Sequence, residues 1–219
     1  MTVPSSNIGG AVLTNAGDGD ALLKRTGAFT VFDDADLAAT RFAGSIESSQ
    51  VNYSWTVLYR LYAPRDFDSL YAIEELCFPP RFRFSRRYMH QIVSHSSSVT
   101  WVAVEDGQMG GFAIVECAQG ASGTIGYIQT IEVSPDRRKQ GIGRELLRRL
   151  EASARAASAQ IVWLHVHAEN APAIRLYEAN GYIREGSEED YYAPGHAALI
   201  YGRPLESEPA NELADASNQ

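Results

Sequence analysis

The sequence predicts an α/β (α+β) domain: a mixed, mostly antiparallel sheet with helices on both faces. Three features carry that prediction. Two apolar strand-like runs, Tyr127 to Val133 and Ile161 to Val166, flank an amphipathic helix pattern. A basic, glycine-bearing turn, Arg138 to Arg144, joins the first run to that helix. Upstream, Asp106-Gly107 separates two further apolar runs and is a strong hairpin signal. With 219 residues, 45% of them hydrophobic, the chain holds one well-buried domain over residues 51–205 plus extensions at both ends.

Taken in order, residues 1–50 are rich in Gly, Ala, Ser, Thr and Asp with little periodicity and read as a flexible arm. Within it, Phe29, Val31 and Phe32 form an apolar clump that could dock on the domain or on a partner. Trp55 to Tyr62 reads as a strand, Phe67 to Cys77 as a helix, and Ser85 to Ser94 as a second helix with Ser85 as its cap. Val99 to Glu105 and Met109 to Ala118 form the hairpin across Asp106-Gly107, and Gly126 to Val133 is the next strand. The helix pattern from Arg144 places Ile142, Leu146, Leu147, Leu150 and Ala154 on one side, with Arg148 and Arg149 nearer solvent. After the strand Ile161 to Val166, Asn170 is a good N-cap, Pro172 suits a first turn, and Asn180-Gly181 stops the short helix between them. Strands Tyr182 to Tyr191 and His196 to Arg203 complete the sheet. Residues 206–219, with Glu206, Glu208, Glu212 and Asp215, read as a solvated acidic tail.

Charge and composition exclude several classes. A net charge of −8 argues against general binding to nucleic acid. Cys77 and Cys117 are far apart in sequence and fit reduced thiols. There is no run long and apolar enough to span a bilayer and no basic-then-apolar N-terminus, so the expectation is a soluble cytoplasmic protein. Oligomeric state is not encoded in any of these features.

The turn Arg138-Lys139-Gln140-Gly141-Ile142-Gly143-Arg144 carries the chemistry. Its glycines let the main chain approach a ligand, and consecutive N–H groups opening a helix attract an anion, with Arg138, Lys139 and Arg144 adding positive charge. Arg144 and Glu145 follow Gly143 where a P-loop needs Lys and a hydroxyl, and Leu146 stands where a dinucleotide fingerprint needs a third small residue. Taken alone, R-x-x-G-x-G could still be a basic turn at a helix start.

The joint order of strand, R-x-x-G-x-G, helix, strand, Asn170-x-Pro172-Ala173-x-x-x-Tyr177, helix and Asn180-Gly181-Tyr182 resembles the GNAT superfamily of acyl-CoA-dependent N-acetyltransferases, over about Trp55 to Pro204. The resemblance implies the GNAT fold with a splayed central strand pair where acetyl-CoA enters. It also implies that Arg138, Lys139, Gln140, Gly141, Ile142, Gly143 and Arg144 hold the coenzyme's diphosphate. The main chain of Ile131, Glu132 and Val133, together with Asn170, would hold the pantetheine arm, with a strand N–H near the thioester carbonyl. Tyr177 would be the general acid that protonates the departing sulfur; the same tyrosine could equally be a packing residue on a short amphipathic helix.

Strand alternation puts His165 and His167 on one face, with Tyr127 on the neighbouring strand. His165 could be a base or a hydrogen-bonded core residue, and Tyr127 could simply pack. An H-x-H metal pair lacks a third ligand, so no metal site is expected. RimI-like bacterial enzymes typically carry glutamate at the position of His165. Nα-acetyltransferases of the Met-Leu-accepting type carry histidine there and a tyrosine matching Tyr127, which implies Tyr127 and His165 as the base pair. An α-amine, with a reference pKa near ~7.7–8.0, needs less help than a lysine amine near ~10.4.

Phe78-Pro79-Pro80 resembles the loop that cradles the first substrate side chain in those enzymes, and Tyr191-Tyr192 resembles their substrate-binding hairpin. Alternatively, the prolines only end a helix and the tyrosines only finish a strand. Pro80, Arg81 and Phe82 depart from the pattern, so first-residue preference does not carry over. Arg81, Arg83, Arg86 and Arg87 could attract an acidic substrate or decorate a helix start. The expected function is acetyl transfer from acetyl-CoA to a protein N-terminal α-amine by direct attack in a ternary complex. Rivals are a lysine or small-molecule amine acetyltransferase and a non-catalytic acyl-CoA-binding module.

Overall fold

The computed structural model describes residues 57–120 and 123–205. The expected arm, the acidic tail, and Trp55 and Thr56 of the first strand lie outside the described residues. Strand β1 (Leu58–Leu61) leads through a short 3-10 turn into helix α1 (Phe67–Cys77) and then α2 (Arg86–Ser94). β2 (Ser98–Glu105), β3 (Gln108–Gly120) and β4 (Gly123–Val133) follow, then α3 (Ile142–Ala156), β5 (Ala159–His167), α4 (Ala171–Ala179), β6 (Ile183–Ala193) and β7 (His196–Pro204). The strands form a seven-stranded sheet in the order β1-β2-β3-β4-β5-β7-β6. Within it the β4–β5 pair is parallel and the other pairs are antiparallel.

Local chemistry accounts for the element ends. The Ser85 hydroxyl accepts from the Tyr88 N–H at 3.2 Å, and the Asn170 side-chain oxygen accepts from the Ala173 N–H at 3.3 Å, so both expected caps form. Asp106 and Gly107 adopt φ of 51° and 75°, the left-handed pair that a two-residue hairpin turn needs. Helix α3 starts at Ile142, two residues ahead of the Arg144 expected from the apolar period. Gly141, at φ 82°, turns the chain into it.

Alternation along β2 and β3 divides the core. Ala103, Ala113 and Val115 pack with Leu146, Leu147 and Leu150 of α3 and Tyr177 of α4, whereas Val102, Phe112 and Ile114 pack with Leu70 and Ile73 of α1 and Met89 of α2. Helices therefore cover both faces, as expected. Each fully buried leucine in this core stabilises the fold by about 2 kcal/mol.

Two irregularities position the site. In β4, Ile114 faces Thr130 but Val115 faces Ile128, so Gln129 is an inserted bulge residue. Beside it, the parallel β4–β5 ladder runs only to the pair Tyr127 and Trp163. Beyond that pair β4 continues to Val133 beside β3, and β5 continues to His167 beside β7. The sheet thus forks between β4 and β5, the splay implied by the sequence resemblance.

Candidate active site

The fork gathers the residues the sequence singles out. Tyr127 is the last paired residue of β4, and His165 lies two positions past the last paired residue of β5. The Tyr127 hydroxyl sits 3.2 Å from His165 Nδ1 and 3.5 Å from the Tyr191 hydroxyl. Tyr191 stacks on the His165 ring, with centroids 4.3 Å apart and planes 4° from parallel. Trp163 packs its ring 4.5 Å from that of Tyr127 and 5.3 Å from His165. The strand pair and the hairpin tyrosine thus meet around one imidazole.

Electrostatics at this imidazole follow from burial. His165 is only 6% exposed, and loss of hydration lowers its pKa to about 4, so it is neutral at pH 7. Burial, followed by the neighbouring Tyr191, pushes the Tyr127 hydroxyl well above its ordinary value, so it keeps its proton. A neutral imidazole and a protonated hydroxyl thus face each other across the fork. The Glu188 carboxylate lies 3.8 Å from His165 Nε2, beyond hydrogen-bond length. With the imidazole neutral, the two do not form an ion pair in the resting protein.

Tyr177 is fully buried on α4, its ring 5.5 Å from that of Tyr182. Desolvation, then Tyr191 and Tyr177, raise the Tyr192 hydroxyl well above its ordinary value. Phe78 is buried at the end of α1, while Pro79 and Pro80 are exposed. Phe82 of the same loop packs its ring 5.0 Å from His196 and 6.1 Å from His167. His167 is buried; its Nδ1 accepts from the Glu169 N–H, and its Nε2 lies 3.0 Å from His196 Nδ1. It clasps the β6–β7 hairpin to β5, and no metal cluster occurs among the described residues.

Arg81, Arg83 and Arg86 of the α1–α2 region are occupied. Arg83 bonds the Glu75 side chain and the carbonyls of Glu75 and Phe78, Arg86 pairs with Asp68, and Arg81 lies over the Phe82 ring at 4.6 Å. They hold the loop in place. In contrast, β6 shows exposed carboxylates at Glu185, Glu188 and Glu189.

The anion turn fits a diphosphate. A side chain at Gly141 would meet nothing within 4 Å, so the space over the turn is open, and no side chain caps the α3 N-terminus. Lys139 has φ 62°, Lys139, Gln140 and Arg144 are exposed, and Ile142 and Gly143 are buried in the first turn. A groove of about 500 Å³ runs from Gly141 along α3, lined by Arg144, Arg148, Arg155 and Arg203 together with Glu145 and Glu151, which pair with Arg148 and Arg203. Arg138 points elsewhere: its Nε donates to the Val133 carbonyl at 3.1 Å, beside Cys77. Asn170 is 8% exposed and its Nδ2 has no partner, a buried donor suited to an amide carbonyl of a pantetheine arm. Ile131 and Val133 bury their side chains against α3, and Glu132 turns its side chain to α1.

Sequence reading misses Trp163, Glu188 and His196. Trp163 is signalled only by its place in the His165 strand. Glu188 carries no signal, because strand alternation separates it from Tyr191. The two reach the same imidazole since Asp190 adopts φ 55° and the β6–β7 register breaks between Glu188 and Ala193.

A forked sheet with an open anion turn and an imidazole–hydroxyl pair at the fork defines a nucleotide-thioester-dependent acyltransferase class. A sequence profile described as the Acetyltransferase (GNAT) family matches residues 67–182, and the chain belongs to that family. Over 114 residues it is 38% identical to streptothricin acetyltransferase of Streptomyces lavendulae, a match covering 50% of this chain and 59% of that protein, less than two thirds of its length. It is 28% identical over 149 residues to an N-alpha-acetyltransferase of Sulfurisphaera tokodaii, covering 64% of this chain and 88% of that protein. The crystal structure of the ribosomal-protein-S18-alanine N-acetyltransferase of Escherichia coli superimposes with a TM-score of 0.62 at 25% identity, covering 73% of this chain and 100% of that one. Among the described residues, no helix is long and apolar enough to cross a membrane.

Proposed function

We propose that this chain transfers an acetyl group from acetyl-CoA to the α-amine of a protein or peptide N-terminus, by direct attack in a ternary complex. The observation that carries the reading is the 3.2 Å contact of the Tyr127 hydroxyl with a buried, neutral His165 at the β4–β5 fork. The named activities of the Sulfurisphaera and Escherichia relatives support an α-amine as acceptor. Main-chain N–H groups at Gly141, Ile142 and Gly143, with Lys139 and Arg144, hold the coenzyme's diphosphate, and Asn170 Nδ2 holds its pantetheine arm. Acetyl-CoA supplies the activated thioester acetyl group.

This chain's own residues do the rest. Phe78, Pro79 and Pro80 wall one side of the acceptor slot, and Tyr191 and Tyr192 wall the other. Tyr127 takes the proton of the attacking nitrogen and passes its own to His165. Tyr177 gives a proton to the leaving sulfur. Two free thiols, Cys77 and Cys117, suit a cytoplasmic place of action. No nucleic acid or membrane partner is invoked.

A second reading, a small-molecule amine as acceptor, is favoured by the 38% match to streptothricin acetyltransferase. Incubation of the protein and acetyl-CoA with peptides bearing free or blocked N-termini, and with small polyamines, separates the two. Products on free N-termini alone support the α-amine reading, and products on the small amines alone overturn it.

A further inference from the structure

We infer that Glu188 is a positioning residue for the reaction, the carboxylate end of a Glu188–His165–Tyr127 proton relay at the fork. The inference rests on the Tyr127–His165 reading given above. A buried imidazole is a poor destination for a proton unless something compensates its charge. On the Nδ1 side stands the Tyr127 hydroxyl at 3.2 Å; on the Nε2 side stands the Glu188 carboxylate at 3.8 Å. With the Tyr127 proton directed at Nδ1, the ring's own proton resides on Nε2 and faces the carboxylate. Hydroxyl, imidazole and carboxylate in that order are the arrangement by which a carboxylate fixes the tautomer and compensates the imidazolium.

The other groups around the ring do not supply this charge. Tyr191 of β6 stacks on it, Trp163 of β5 packs at its edge, Tyr127 of β4 keeps its proton, and the β7 residue paired with it is Ile200. Glu188 is fixed beneath by its pairing with Ala198, and its side chain is 46% exposed, so it touches both the buried ring and bulk water.

As the acceptor nitrogen bonds to the acetyl carbon, its proton passes to the Tyr127 oxygen while the Tyr127 proton passes to His165 Nδ1. The imidazolium, its charge compensated by Glu188 on the Nε2 side, then returns the Nδ1 proton to solvent through the Tyr127 hydroxyl, which restores the starting tautomer. The carbon–sulfur bond breaks as Tyr177 protonates the sulfur, and Tyr177 recovers its proton from solvent. No oxidant or reductant takes part.

The test is a double-mutant cycle on acetyl-CoA turnover with Glu188→Gln, Glu188→Asp, His165→Gln and the pair Glu188→Gln/His165→Gln. Glu188→Gln is expected to lower kcat about tenfold, leave the KM for acetyl-CoA unchanged and shift the acid limb of kcat/KM to lower pH. Glu188→Asp should recover most of that loss, and adding Glu188→Gln to His165→Gln should cost nothing further. If the two losses multiply, or if Glu188→Gln turns over like the unmodified protein while His165→Gln does not, this inference is overturned and the base assignment stands. If His165→Gln itself is fully active, the base assignment and the relay fall together.

Discussion

Tyr127 and Trp163 form the last main-chain pair between β4 and β5, and their rings pack 4.5 Å apart at the point where the strands part. That pair braces the fork. Beyond it, β5 carries the imidazole to the pairing with β7, and β4 continues to Val133 beside β3.

Replacing His165 by Gln removes the proton acceptor but leaves the fork packed. The expected outcome is a loss of kcat on the order of a hundredfold, with coenzyme A affinity within about twofold, measured by thioester consumption and calorimetry. A proportionate fall in coenzyme affinity would assign His165 to binding instead.

Because burial lowers the His165 pKa to about 4, below its unfolded value near ~6.5, the unfolded chain binds the extra proton between those values. Stability from this residue is complete above ~6.5 and declines as pH falls toward 4, by at most on the order of 3 kcal/mol. Denaturant melts from pH 7 to pH 4.5 should show a shallower decline in His165→Gln than in the unmodified protein.

Tyr127→Phe keeps the ring against Trp163 and deletes the hydroxyl. Turnover should drop at least tenfold with thermal stability nearly unchanged. Since the hydroxyl titrates well above its ordinary value, the unmodified enzyme should show no rate limb from Tyr127 between pH 7 and 9. An ionisation in that window that disappears in Tyr127→Phe would show a tyrosinate base.

Gly141→Val meets open space, so its cost lies in the backbone at φ 82° and not in a clash. Stability should fall by about 1–2 kcal/mol, and coenzyme A should bind at least tenfold more weakly, as titration calorimetry would report. Unchanged binding would remove the turn from the coenzyme site.

Glu74 and Glu132 meet in the dry α1–β4 interface, where burial and then mutual repulsion raise the Glu132 carboxyl well above its usual range. A carboxyl whose folded pKa is raised loses its stabilising effect as pH climbs through that value. Glu132→Gln, which mimics the protonated form, should therefore melt higher than the unmodified protein at pH 8 and near it at pH 5. The Phe84 N–H bonds Glu74 at 2.6 Å, so the same interface holds the loop between α1 and α2.

Much of this was written in local pattern. Helix α1 ends where the apolar period and Phe78-Pro79 end it, Ser85 and Asn170 cap as their side chains dictate, and the glycine turn opens α3. Tyr127 and His165 were legible because motif spacing ties their strands together. What stayed hidden depends on register. The Gln129 bulge that starts the splay, and the left-handed Asp190 that brings Glu188 beside Tyr191, both break the two-residue period on which strand reading rests. Glu74 carries no local signal, since only the folded sheet brings Glu132 against it.

The most direct measurement is fragmentation mass spectrometry of one peptide that carries both a free N-terminus and an internal lysine, after reaction with acetyl-CoA and the enzyme or its His165→Gln variant. The account predicts acetyl on the N-terminal residue, a clean lysine, and little product from the variant. Acetyl on the lysine side chain, or equal N-terminal product from the variant, would contradict it.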